Sequence, residues 1–394
     1  MEAFAAEWLN LLIRWAHIIV GIAWIGASFH FVWLDFSLRK REQMNAGVYG
    51  TSWMVHGGGF YHVEKYSVAP AALPPDLHWF KWEAYLTWLT GMMLLAVQYY
   101  WQAETYLIDP AVMDITRGQA ILISLGTLIG GWIIYDQLCR SPIGRHTGVL
   151  GLCVFALVIG ATWLFSHLFS GRGALIHVGA FVGTIMAANV FMVIIPNQRI
   201  MVGQLMRGEA PDGRLGAIGK QRSLHNNYFT LPVILMMVSN HYPALTSSQY
   251  PWVVVGCILI AGAMVRHFVN RADAGDDLGR FAWTIPAGAM AMIVALFFTV
   301  PPKIETSDVT VSDARVLTLT ATHCTGCHAA VPRNPNFQQA PKGVHLETVD
   351  ELRRYAPLIR QHAVVGRAMP PGNPTGITDD ERAEIGAWLA RNAP

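Results

Sequence analysis

The sequence predicts an all-α protein: a polytopic bundle of about eight transmembrane helices, then a small polar helical domain at the C-terminus. Three observations predict it. Hydrophobic residues make up 53% of the 394 positions and charged residues only 14%, against about 25% charge in an ordinary soluble domain. Apolar runs near the ~20 residues that cross hydrocarbon fill residues 1–300. From Ser312 onward Asp, Glu and Arg return at ordinary density. These shifts divide the chain into a transmembrane domain at 1–300, a linker at 301–311 and a C-terminal domain at 312–394. The net charge of +2, with no basic run interleaved with aromatics, excludes nucleic acid as a partner; the lipid bilayer is the expected surrounding.

Eight spans are expected, at 8–38, 79–102, 118–138, 147–169, 173–196, 224–240, 252–269 and 281–300. The first contains Arg14 and Asp35, so its ends must reach the interfaces or tilt. The sixth is short and holds Pro232, which predicts a kink or a watery flank. Arg39, Lys40 and Arg41, then Arg140 and Arg145, then Arg199, Arg207, Arg214, Lys220 and Arg222, then Arg271 and Arg280 follow the odd-numbered spans. By the positive-inside rule those segments are expected to be cytoplasmic, and both termini to lie outside. Glu2 and Glu7 stand where a cleaved leader carries positive charge, so no cleavable signal is expected.

Three connections exceed linker length. Residues 39–78 read as a Gly-rich loop. Residues 197–223 read as an amphipathic segment lying on the inner interface. Pro301-Pro302 ends the eighth span. Of five cysteines, Cys139, Cys153 and Cys257 lie in or beside apolar runs as small hydrophobes, and only Cys324 and Cys327 are close in sequence. No disulfide framework is expected.

His323-Cys324-Thr325-Gly326-Cys327-His328 contains C-x-x-C-H. Two thiols one helical turn apart can both add to one haem, and His328 then falls under the iron as proximal ligand. Zinc would need a second such pair, which the chain lacks. Met369, in the Pro-stiffened run Ala368-Met369-Pro370-Pro371, suits a distal thioether ligand, with His345 and His362 as competitors. Thr378 to Glu381 forms a capping box, and Ile385, Trp388 and Leu389 share one face of a terminal helix. This arrangement resembles a class I cytochrome c, with one covalent haem c.

Eleven of the 15 histidines precede that domain. Ionisable groups at membrane depth are functional by default. His17, His167, His177 and His241 fall in the outer halves of their spans; His30, His225 and His267 fall in the inner halves. Two functional readings stand beside simple hydrogen bonding to a helix neighbour. One is axial ligation of a non-covalent b haem, with His17 as first choice and His167, His177 or His241 as partner; the other is binding of a polar substrate. The first span, Ala16 to Trp24, also resembles the first helix of bacterial membrane protoporphyrinogen oxidases, which are b-haem proteins.

A polar and aromatic set gathers at the cytoplasmic side: His78 to Glu83, Asn189, Pro196 to Arg199, and His225-Asn226-Asn227-Tyr228. Such a set suits a flat heterocycle rich in donors and acceptors. Interfacial anchoring by Trp79 and Lys81 is the plainer reading of those two.

The chain resembles the bacterial membrane-bound urate hydroxylases (urate oxidases) with a fused C-terminal cytochrome c. Trp53-Met54-Val55-His56-Gly57-Gly58-Gly59-Phe60-Tyr61, Leu77 to Tyr85, Ile194-Ile195-Pro196-Asn197-Gln198 and Leu224 to Pro232 carry the resemblance, and the fused C-x-x-C-H domain completes it. It implies oxidation of urate to 5-hydroxyisourate, with electrons leaving through the c haem to a respiratory acceptor such as a soluble cytochrome c or a terminal oxidase. The competing reading is an electron-transfer subunit fed by a quinol or a partner protein, without urate chemistry; a transporter with a cytochrome sensor is a third. For urate, a planar anion, the residue chemistry places Asn226, Asn227, Tyr228 and Gln198 in the binding site. His225 and Asn227 are placed as catalytic groups and Glu83 as the base. The unpaired N–H groups of a sixth helix opening at His225 are expected to face the anion. Simple helix capping by Asn226 and Asn227 is the alternative.

Overall fold

Apolar periodicity and capping residues set the helices. The computed structural model describes residues 2–300 and 310–392; most of the expected linker, 301–309, lies outside the described residues. The bundle runs α1 (Glu2–Ser37), α2 (Trp82–Leu94), α3 (Ala103–Tyr106), α4 (Arg117–Arg140), α5 (Thr147–Ser166), α6 (Gly171–Ala188), α7 (Ile195–Met206), α8 (Gly213–Val238), α9 (Pro243–Thr246), α10 (Pro251–Ala274), α11 (Leu278–Phe281) and α12 (Thr284–Phe298). Two π-helical turns interrupt the bundle, Leu95–Tyr100 after α2 and Asn189–Ile194 between α6 and α7. Such turns widen a helix and often mark functional positions.

Among the described residues, six helical segments are long and apolar enough to cross a membrane: Glu7–Ser37, Arg117–Arg140, Thr147–Ser166, Gly171–Met206, Pro251–Ala274 and Leu278–Phe298. The expected second and sixth spans also form helices, α2 with its π turn and α8, and pack into the same bundle against α1, α6 and α10. Leu122, Leu152, Leu296 and Phe297 point outward, an apolar exposure that suits lipid and not water. The two charges of the first span find partners. Arg14 bonds Asn10 and Gln98, and Asp35 pairs with Lys65. Inside, Gly131 lets the Phe181 ring lie against α4, and Gly262 receives Pro232 of α8; close helix approach at small residues is how membrane bundles pack.

Two sequence expectations are corrected. The Gly-rich loop after α1 is an antiparallel hairpin, β1 (Val48–His56) with β2 (Gly59–Tyr66), so the protein is not purely helical. Gly57 and Gly58 both take positive φ, +59° and +79°, the tight-turn geometry that two-residue hairpins need. The sixth helix does not open at His225. It opens at Gly213, where the Asp212 carboxylate accepts from the Arg214 N–H. His225, Asn226 and Asn227 therefore lie deep inside α8, and no free helix N-terminus faces them. Residues 213–223 are the first turns of that same helix.

The C-terminal unit comprises α13 (Asp313–His323), α14 (Val349–Arg354), α15 (Ala356–Ile359) and α16 (Asp379–Asn392). The expected capping box is present: Glu381 accepts from the Thr378 N–H at 2.9 Å, and Thr378 accepts from the Glu381 N–H at 3.2 Å. Val316, Leu319, Ile385, Trp388 and Leu389 form its core, and the Trp388 indole donates to Asp313 at 2.8 Å.

Candidate active site

The C-x-x-C-H turn follows α13 directly. The His328 N–H bonds back to the Cys324 carbonyl at 2.9 Å, so one tight turn carries both thiols and the imidazole. His328 directs Nδ1 at the Val344 carbonyl, 2.9 Å away; that nitrogen is the donor, since a carbonyl only accepts, and Nε2 keeps its lone pair. A carbonyl partner on the far nitrogen is the usual way to aim a ligating histidine. Burial lowers the His328 pKa, favouring the neutral imidazole that ligation needs. Burial also pushes the Cys324 thiol up to about 12 and raises that of Cys327. Redox dithiols show the opposite, a depressed thiol pKa. Cys324 and Met369 pack against the same apolar core. Met369 is held at both backbone ends: its N–H donates to the His362 carbonyl at 2.9 Å, and buried Arg382 donates to its carbonyl at 2.8 Å. Two thiols, an aimed imidazole and a fixed thioether fit a covalently bound c-type haem.

In the bundle the expected substrate residues separate into three places, because successive residues of a helix point about 100° apart. On one side of α8, Asn189 of the π turn donates to Asn226 at 2.9 Å and to the Tyr135 hydroxyl at 3.1 Å. Tyr135 also bonds His225 Nδ1 at 2.7 Å. Arg222 ion-pairs with Asp136 at 2.7 Å, over the Tyr135 ring. This network is dense: Arg140 also pairs with Asp136, at 2.6 Å, and Arg222 Nε alone in it is left without a hydrogen-bond partner among the described residues. Removing one partner of a buried ion pair typically destabilises by about 3–5 kcal/mol. Asp136→Asn is therefore expected to lower the thermal midpoint of the detergent-solubilised protein, and Asp136→Asn with Arg222→Gln to restore part of it. An unchanged midpoint in the single variant would contradict a structural role.

On the other side, Asn227 meets α10 and α1. Its Oδ1 accepts from Asn270 Nδ2 at 2.9 Å and from Arg266 Nε at 3.4 Å. Asn227 is 0% exposed, and its Nδ2 has no hydrogen-bond partner among the described residues. Arg266 is buried, lies over the Phe29 ring at 4.2 Å and donates to Asn270 at 3.1 Å. No carboxylate among the described residues lies within ion-pair distance of it. Tyr228 bonds His267 Nδ1 at 2.9 Å, beside this cluster. Arg266 is hydrogen-bonded to amides alone, with Asp273 an electrostatic partner beyond ion-pair distance; next to an unspent amide donor, such a cation offers donors to a polar anion.

The third place holds Gln198, which lines an open groove of about 290 Å³ with His78 and Trp79, apart from Asn226 and Asn227. Glu83 is half-buried near the start of α2 and makes no side-chain hydrogen bond or ion pair among the described residues. The single convergent set expected from sequence is thus corrected to two clusters on opposite sides of α8, with Gln198 and Glu83 outside both. His17 bonds Thr90 at 3.0 Å. His177 has both ring nitrogens engaged, Nδ1 with the Gly173 carbonyl and Nε2 with Ser124, each at 2.7 Å. His167 turns back to the Trp163 carbonyl at 2.8 Å. No hydrogen bond or ring contact among the described residues joins His17 to His167, His177 or His241.

Sequence reasoning missed Arg266, Asn270, Phe29, Tyr135 and Asp136. One signal was available: Arg266 and Asn270 are four residues apart inside an apolar helix, hence on one face, and an arginine there is seldom idle.

The family model described as urate oxidase N-terminal matches residues 3–300, the whole bundle. No curated protein and no solved structure matches the chain. With three-quarters of its length matched by that one family model, the chain belongs to the urate oxidase N-terminal family.

Proposed function

We propose that this protein is a membrane-bound oxidoreductase that converts urate to 5-hydroxyisourate and passes the electrons through a covalent c haem to a respiratory acceptor. The observation that carries the reading is the buried Arg266, with no carboxylate in ion-pair contact among the described residues, beside the unspent amide donor of Asn227, in a bundle belonging to the urate oxidase N-terminal family. Urate is a planar anion at neutral pH with carbonyls and N–H groups around its rim. Arg266 supplies the charge and a flat fork of donors, held in orientation by the Phe29 ring. The free Asn227 donor suits a rim carbonyl. Asn270 fixes the Asn227 oxygen, so the amide cannot turn away. His267, steadied by Tyr228, is assigned as the group that takes a proton from the substrate. The reaction balances with water as oxygen source: urate and water give 5-hydroxyisourate, two protons and two electrons.

Cys324, Cys327, His328 and Met369 would hold the haem, whose chemistry is one-electron transfer. On this reading α2 and α8 also cross the membrane, the hairpin end with its Arg and Lys residues faces the cytoplasm, and the C-terminal unit lies in the periplasm of a bacterial inner membrane; the positive charge on the hairpin side supports that orientation. Cytoplasmic urate then reaches the Asn227 cluster from the side on which purine breakdown supplies it.

Anaerobic addition of urate to purified, oxidised protein tests this. The c-type absorption is expected to reduce with a stoichiometry of two haems per urate, and the product to carry label from H₂¹⁸O. Reduction by a quinol but not by urate would overturn the proposal in favour of a plain electron-transfer subunit.

A further inference from the structure

The C-terminal unit contacts the bundle end opposite the hairpin through unusually close backbone. Gly372, just past Pro370-Pro371 in the Met369 loop, has φ +70°, and a Cβ there would meet the carbonyl oxygens of Glu104, Thr105 and Ile108, each at 2.8 Å. Glycine alone meets both demands, the left-handed backbone and the missing Cβ. Gly366, at the head of the same loop, approaches Pro243 at the start of α9, where an added Cβ would lie at 3.2 Å. Asn336 donates to the Thr105 hydroxyl at 3.3 Å. Loop and seat enclose a cavity of about 340 Å³, lined in part by Tyr106, His167, Arg172 and Arg367. Behind the seat, rings step into the bundle: Tyr106 to Tyr99 at 6.3 Å between centroids, then Tyr99 to His177 at 6.3 Å.

We propose that residues 103–108 and Pro243 form a fixed docking seat for the Met369 loop, and that electrons leave the bundle along the Tyr99–Tyr106 side of that seat. The C-terminal unit then works docked, not as a swinging tethered carrier. The proposal rests on the haem reading above. Over one turnover urate is the donor of two electrons and the C-terminal haem would accept them one at a time; no bond forms or breaks in the transfers, and neither tyrosine is left oxidised. Gly372 and Tyr106 are positioning residues.

Thr105→Cys with Asn336→Cys, in a chain carrying a protease site within 301–309, tests the seat directly. A short bifunctional thiol reagent is expected to join the two fragments on a denaturing gel. Gly372→Leu in that background is expected to lower the cross-linked fraction, keep the haem-stained band and slow urate-driven haem reduction at least tenfold, about 1.4 kcal/mol in the barrier. Tyr106→Leu is expected to keep both cross-link and stain while slowing reduction. Absence of cross-link in the parent pair, or unchanged reduction in Tyr106→Leu, would overturn the proposal even if Gly372→Leu failed to fold. A missing haem stain in the parent would instead overturn the haem reading, and the cross-link is scored without it.

Discussion

Changing Cys324 or Cys327 to alanine is expected to abolish or cripple covalent haem attachment, and with it all urate-driven electron output. The two thiols stand on one turn with the aimed His328, so on the proposed reading each would contribute a separate bond to the same group. A haem stain on a denaturing gel reads attachment independently of activity. A full-strength stain in both single variants would sink the assignment. Folding should suffer as well, since Cys324 packs against the core of a unit of about 80 residues, a size at which a covalent group contributes to stability. Met369→Ala separates ligation from attachment. The stain should persist while the reduction potential falls, because a methionine ligand raises it. An unchanged potential would hand the distal position to His345 or His362.

The second large effect is expected at Arg266. Arg266→Met removes the cation while keeping length and apolar bulk over Phe29. A charge-assisted hydrogen bond is worth roughly 1.5–3 kcal/mol, so the kcat/KM for urate should fall about 10- to 150-fold. Stability should hold or rise, because a buried charge without a carboxylate in ion-pair contact is costly to fold and an apolar replacement removes that cost. That pairing of lost turnover with kept stability distinguishes a substrate contact from a structural one. Arg266→Lys should recover only part of the activity, since an ammonium lacks the planar fork. Turnover that falls only as far as the folded fraction falls would remove Arg266 from the site. Asn227→Ala offers an independent reading. It deletes the one unspent donor of the cluster, so urate affinity should weaken while Arg222, Asp136 and Tyr135 stay bonded on the other side of α8.

The helical bundle and the C-x-x-C-H turn were legible in the sequence because both are local. A span shows as an apolar run, since every residue facing lipid meets the same solvent. The Cys324, Cys327 and His328 side chains share one turn, whatever the rest of the chain does. The start of α8 was not legible. It depends on one cap, Asp212, and on a polar helical stretch whose stabilising contacts come from elsewhere in the fold. The hairpin was hidden for a related reason: its Gly-rich turn reads equally as a loop until the facing strands pair. The candidate site needed the tertiary structure most. Asn226 and Asn227 are neighbours in sequence, yet the helix turns them to different partners, Asn189 on one side and Arg266 with Asn270 on the other. Asn227 and Arg266 are 39 residues apart and meet only where α8 packs on α10. Sequence supplied the donors, the charge and the haem motif. Packing alone decided which donors stay bonded and which, Asn227 Nδ2 among them, are left free, because hydrogen-bond satisfaction in a buried site is set by non-local neighbours.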